Sequence, residues 1–264
     1  DYEDIVLGYE TIDRYINNDG ERFLGAVVGP YANRIAKGSF TLDGTEYNLP
    51  INNNGQTLHG GIDGLDRVVW DVVSASEDQL VMKYLHADGQ EGFPGNLQIE
   101  MTYSLTPENE FRIDYSATTD KPTVVNLSHH PFFNLKGEGN GTILDHVMTI
   151  NASHTTPVDS VLIPTGEIAD VTGTPFDFRQ PHAIGERIGA DNEQLRNGAG
   201  YDSSTAATSS TAKRTANTAN RCATANRWRS KRRSIPTAPT TTTSPRPYCV
   251  RAKNTRRSAS TASG

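Results

Sequence analysis

Along the first two hundred residues, apolar and polar positions alternate with a period of two, in short runs rich in Val, Ile, Tyr, Phe and Thr that end at Gly, Asn, Asp or Pro. Successive side chains of a strand point to opposite faces, so these runs predict strands with one buried and one polar side. Residues 38–49 alternate on either side of Asp43-Gly44, which is the short-range signature of a hairpin. Further strands are predicted over 68–73, 80–85, 97–105 and 111–117, at the spacing of an antiparallel β protein. Helical periodicity is scarce: a turn or two is expected near 31–35, and a short helix near 183–188 after Pro181. Many strands without a strand–helix–strand rhythm argue against a doubly wound nucleotide-binding fold and for an all-β sandwich or barrel. No internal repeat is visible.

Composition divides the chain at Asp202. Of 264 residues, 31 are Asp or Glu, and every one of them lies in 1–202. Residues 203–264 contain no acid but 13 Lys and Arg, and Thr, Ala and Ser fill 34 of their 62 positions. Ile235 and Val250 are the large aliphatics of that segment, too few to offset the entropy of ordering it, so a disordered or irregular tail is expected after a β domain over 1–202. Abundant Ala, Arg, Ser, Thr and Pro is also what out-of-frame translation of a GC-rich gene yields, and a shifted reading frame after Asp202 is one expectation. The competing one is a basic tail that binds nucleic acid through its phosphates, with residues 227–233 as the densest patch and Trp228 and Tyr248 for stacking. Cys222 and Cys249 both lie in the tail, so a disulfide between them would not brace the acidic part. No apolar run approaches the roughly 18 residues that a membrane-spanning helix needs, so no membrane association is expected. The chain starts at Asp1 rather than Met with no charged, then apolar, leader ahead of the strand pattern, so its start is expected to be processed or missing. Secretion is neither claimed nor excluded, and the compartment stays open with the cytoplasm slightly favoured over the periplasm.

Candidate chemistry concentrates in a few places. His59 sits in Leu58-His59-Gly60-Gly61, where glycines allow a sharp turn and close approach of a ligand. His129 and His130 are adjacent in a strand-like run, and alternation turns their rings to opposite faces, so only one can face a given pocket. Phe132 and Phe133 would supply an apolar wall suited to a sugar ring or to ordinary packing. Arg34 could aim a fixed fork of donors inward or form a structural salt bridge. Asp202, closing a Gly-rich turn, could accept hydrogen bonds from hydroxyls. Histidine pairs at helical spacing, a Gly-x-Ser-x-Gly elbow and a phosphate loop are all absent, so a zinc site, a serine nucleophile and nucleotide binding lack support.

Taken together, residues 29–38, Leu58-His59-Gly60-Gly61, 91–97, 123–135 and the stretch from Pro157 to Gly166 resemble, in order, the motifs of the aldose 1-epimerase (galactose mutarotase) family. The resemblance covers 1–202. It implies a large antiparallel β-sandwich whose concave surface binds a hexose, with interconversion of α and β anomers of D-galactose or D-glucose and no cofactor. By position, His130 resembles the proton donor to the ring oxygen. Asn33, Arg34 and His59 resemble the residues that hold the sugar hydroxyls and ring, and Asp202 the aspartate that grips hydroxyls. Phe132 stands where many relatives carry Tyr, at the loss of one hydroxyl. The resemblance also implies a glutamate base near the C-terminus, whereas 203–264 holds no Glu, and opening strands ahead of Asp1. A hexose-binding protein without catalysis is therefore the second expectation.

Overall fold

The computed structural model describes residues 4–17, 21–107, 110–201 and the backbone of 205–206; Asp202 and the expectations placed on the tail lie outside the described residues. After a short helix α1 (Ile12–Asn17), the chain forms β1 (Ala26–Val28), β2 (Arg34–Ile35), β3 (Ser39–Leu42), β4 (Thr45–Asn48) and β5 (Thr57–Leu58). Four longer strands follow, β6 (Asp71–Ala75), β7 (Gln79–His86), β8 (Leu97–Leu105) and β9 (Phe111–Thr119), and then β10 (Ser128–His130). β6 to β9 make one antiparallel sheet in sequence order, while β1 pairs with β10, β2 with β5 and β3 with β4.

The alternation in the sequence accounts for the large sheet. Along β8, Leu97, Ile99 and Met101 are buried while Gln98 is exposed, and Tyr84 and Ala117 flank Ile99 from the neighbouring strands. One face thus joins Val27, Leu65 and Ile113 in a core, with Trp70 and Tyr103 packed against it. The other face is polar and carries a Lys83–Glu100 ion pair at 3.2 Å. The β3–β4 hairpin closes through Asp43 and Gly44, whose φ angles of 50° and 83° match the two positive values that a tight hairpin turn demands. A second core, around Leu24, Phe132, Ile143, Val171 and Phe178, is built mainly by the segments after β10, whose described residues form short strands and the helices α2 (Ile184–Arg187) and α3 (Glu193–Asn197).

Two expectations are corrected. Residues 31–35 are not helical: Asn33 has φ of 70°, and Arg34 and Ile35 form β2, paired with Leu58 and Thr57. The apolar spacing at 31–35 resembles a helix face, but Ala32 N donates to Asn126 O at 2.7 Å, so partners far along the chain take the backbone groups a helix would use. The strand expected over 68–73 starts only at Asp71 and continues to Ala75. Val68 and Trp70 instead fold onto the core, where the indole Nε1 donates to Leu65 O at 3.4 Å. The strands over 80–85, 97–105 and 111–117 and the helix near 183–188 are present. No helix among the described residues is long and apolar enough to cross a membrane.

Two histidines, His86 buried and His129 half-buried, make the fold sensitive to acid. His86, at the end of β7, packs edge-on against Phe93, and burial lowers its pKa from 6.5 to about 4. His129 is lowered to about 4 by burial as well, against a smaller opposing effect of its hydrogen bond to Gly25 O. In the unfolded chain both protonate near 6.5, and in the folded chain only near 4. Stability is thus complete above about pH 6.5 and falls as pH drops toward 4, by about 1.4 kcal/mol per pH unit for each group in that window. Urea denaturation at pH 7.0 and 4.5 should show a clear drop at the lower pH, reduced in His86→Leu; equal stability at both pH values would contradict neutral burial.

Candidate functional site

The β1–β10 ladder pairs Ala26 with His130, Val27 with His129 and Val28 with Ser128. Because neighbours on a strand face opposite ways, the two histidines part. The His129 ring lies 5.4 Å from that of Tyr103, with Nε2 3.1 Å from Gly25 O. His130 turns to the other face, where its half-buried ring stands 5.3 Å from His59 in an edge-to-face arrangement, 5.7 Å from Phe23 and 5.2 Å from Phe132.

His59 is delivered by a turn that only a glycine-rich sequence can form. His59, Gly60 and Gly61 have φ of 54°, 93° and 110° in succession. A Cβ on Gly60 would lie 1.8 Å from Gly29 O, so the backbone that begins the 29–34 segment is seated directly on this turn. His59 N donates to Asn33 O at 3.1 Å, and Asn33 N donates to His59 Nδ1 at 2.9 Å. With Nδ1 accepting, the neutral imidazole carries its proton on Nε2. Phe23 meets the His59 ring edge-to-face at 4.6 Å and belongs to the small core of Val28, Ala32 and Leu58 beneath the site.

Arg34 reaches this group through Asn33. Its Nη1 donates to Asn33 Oδ1 at 3.4 Å, while Nε and Nη2 converge on Asn53 Oδ1 at 3.3 and 3.2 Å. Arg34 is half-buried and Asn33 exposed, so a polar rim surrounds the imidazoles. Phe132 is 1% exposed within the second core and touches the site through its contact with His130. The structure therefore links Asn33, Arg34, His59, His130 and Phe132 in one contiguous set, and Asp202 lies outside the described residues.

Several contributors go unannounced in the sequence. Arg22 forms a bidentate pair with Asp66, at 2.7 Å from Nε and 3.1 Å from Nη2, and its guanidinium covers the Phe23 ring at 4.9 Å. The Asp66 side chain is 2% exposed, so the pair is a buried tether between Phe23 and the segment following His59. Glu91 Oε2 accepts from Ile62 N at 2.7 Å, and Asn52 bonds the backbone of Leu58 and Gly61. Apart from the motif around Glu91, these residues sit in runs that read as ordinary loops or strand starts, and no periodicity singles them out. Among the described residues no three His, Cys, Asp or Glu gather in a way that would hold a metal ion.

Comparison with known proteins identifies the family of the chain that carries this imidazole pair and its antiparallel β scaffold. Residues 1–238 match the family described as aldose 1-epimerase, and the chain belongs to that family. The match runs past the compositional break at Asp202. Galactose mutarotase of Bos taurus is 45% identical over 185 residues, which are 70% of this chain and 53% of that protein. Aldose 1-epimerase of Escherichia coli K12 is 41% identical over 197 residues, 75% of this chain and 56% of that protein. The chain thus spans about half the length of the curated relatives it matches. Among solved structures, galactose 1-epimerase from Lactobacillus acidophilus superposes with a TM-score of 0.68 at 31% identity, covering 76% of this chain and 59% of that one. An aldose epimerase homologue from C. elegans gives 0.66 at 34% identity, covering 72% and 57%.

The seating of Gly60 on Gly29 yields a direct test. Gly60→Ala should destabilise the fold by at least ~2 kcal/mol, from overlap and left-handed strain together. Gly25→Ala has the strain alone, since φ is 69° with nothing within 4 Å of its added carbon. It should cost only about 1 kcal/mol. Denaturation midpoints of the two variants decide it, and equal losses would mean the 58–61 turn is not held against Gly29.

Proposed function

We propose that this chain binds a hexose at the His59–His130 face and promotes exchange of its α and β anomers, with D-galactose or D-glucose as the sugar and no cofactor. The observation that carries the reading is the edge-to-face contact of His59 and His130 at 5.3 Å, beside the Arg34 and Asn33 rim.

Anomer exchange needs a proton taken from the C1 hydroxyl and one given to the ring oxygen, after which the ring opens, the aldehyde rotates and closure occurs on the other face. His130 is the donor to the ring oxygen in this reading, because an imidazole nitrogen can both carry a proton and hand it over. Arg34 and Asn33 hold sugar hydroxyls from the rim. His59, with its proton on Nε2, donates to the ring or a hydroxyl, and its orientation is set by the Asn33 N–H on Nδ1. Phe23 and Phe132 form the apolar backing of the two imidazoles. Asp202 is assigned to accept from sugar hydroxyls on the strength of the family resemblance alone.

The second reading is hexose binding without acceleration. It is favoured by the lack of any Asp or Glu in 203–264, the part in which the resemblance puts the base that takes the C1 proton. Polarimetry on freshly dissolved α-D-galactose separates the two. Catalysis predicts a rate above buffer that falls on the order of 10²-fold or more in His130→Ala, the usual worth of one proton-transfer group. Sugar binding with no change in the rate of rotation establishes the second reading, and absence of both overturns the proposal.

A further inference from the structure

The loop before β5 carries two adjacent asparagines whose side chains serve different halves of the site. Asn54 and Gly55 have φ of 47° and 78°, so the chain reverses tightly between Asn53 and Gln56, which exchange backbone bonds at 2.8 and 3.1 Å. That reversal lays Asn52 alongside Leu58. Asn52 Oδ1 accepts from Leu58 N at 2.7 Å, and its Nδ2 donates to Leu58 O at 2.9 Å and to Gly61 O at 2.6 Å. One side-chain amide thereby straps both ends of the turn that carries His59. Asn53 Oδ1, one residue on, receives Nε and Nη2 of Arg34.

We infer that Asn52 and Asn53 are the positioning residues of this site, Asn52 fixing the His59 turn and Asn53 aiming the Arg34 guanidinium. The inference rests on the reading of Arg34 and His59 as sugar-holding groups. The residue type is demanded by the chemistry at both positions. Position 52 must offer one acceptor and two donors at once, which an amide supplies; a carboxylate would press oxygen against two carbonyls, and Ala would strand three backbone groups. At position 53 a neutral acceptor orients the guanidinium without cancelling its charge, which keeps that charge for an incoming hydroxyl. Because the two residues are consecutive, a shift of this loop would disturb Arg34 and His59 together.

The test is a pair of double-mutant cycles on the full chain, with D-galactose affinity measured by calorimetry and folding checked by circular dichroism and thermal midpoint. Arg34→Ala should weaken binding about tenfold or more, as expected for loss of a charged hydrogen-bond donor. Asn53→Ala should weaken it several-fold, and add nothing once Arg34 is already Ala. Asn52→Asp should behave in the same way against His59→Ala. Asn53→Asp, which keeps the acceptor but adds the charge that cancels the guanidinium, should fold even if Asn53→Ala does not and bind galactose several-fold more weakly than wild type; wild-type affinity in Asn53→Asp would overturn the demand for a neutral acceptor. Additive effects, or an Asn53→Ala variant that loses stability while binding galactose normally, overturn the inference and leave the sugar site standing. Unchanged affinity in both Arg34→Ala and His59→Ala overturns the sugar-holding reading itself, and the inference with it.

Discussion

The register of β1 on β10 is the constraint on which the site depends. Val27 packs into the core of the large sheet and Val28 into the small cluster with Phe23 and Leu58, so β1 meets a different core on each face, and pairing Ala26 with His130 then decides which histidine turns toward His59. A slip of one residue would exchange His129 and His130, placing the histidine now held among Tyr103 and Phe111 at the site and burying the other. The His129 hydrogen bond to Gly25 O and the backbone bond from Gly25 N to His130 O both close this register at its end. A structural histidine and a candidate chemical one are thus set by the same three-residue ladder.

His130 also sits at the junction of two hydrophobic groups. Phe132 belongs to the core built from the segments after β10, and Phe23 to the small cluster under β1 and β5. The imidazole touches both rings, so it is wedged between bodies of packed side chains that resist displacement. The Arg22–Asp66 pair holds Phe23 from outside, and the near-complete burial of the Asp66 carboxylate means that removing Arg22 would leave that charge with poor solvation. Rigidity at this site comes from packing and buried ion pairing, with the polar rim of Asn33 and Arg34 layered on top.

Much of the sheet is legible in the sequence because its determinants are local. Asp43-Gly44 specifies its own turn, and the alternation of Leu97, Ile99 and Met101 against Gln98 specifies a face. The opposed orientation of His129 and His130 follows from alternation as well. The segment at 31–35 is misread because its backbone is satisfied by Asn126 and by β5, partners that no local pattern announces. The same reason hides Phe23, Asn52, Asn53 and Asp66: each acts through a contact formed only when distant segments meet. Family resemblance points to His130, His59, Arg34 and Asn33 without that geometry, while the residues that contact them emerge only from the fold.

The three left-handed residues in a row at 59–61 have a consequence for how this part of the fold can diversify. With the turn pressed onto Gly29, neither its length nor its backbone can drift without unseating the neighbouring segment, so natural variation and engineering alike are steered to positions whose side chains leave the surface freely. Ile62, exposed at the end of the fixed turn, is such a position, and a change there would leave the scaffold untouched.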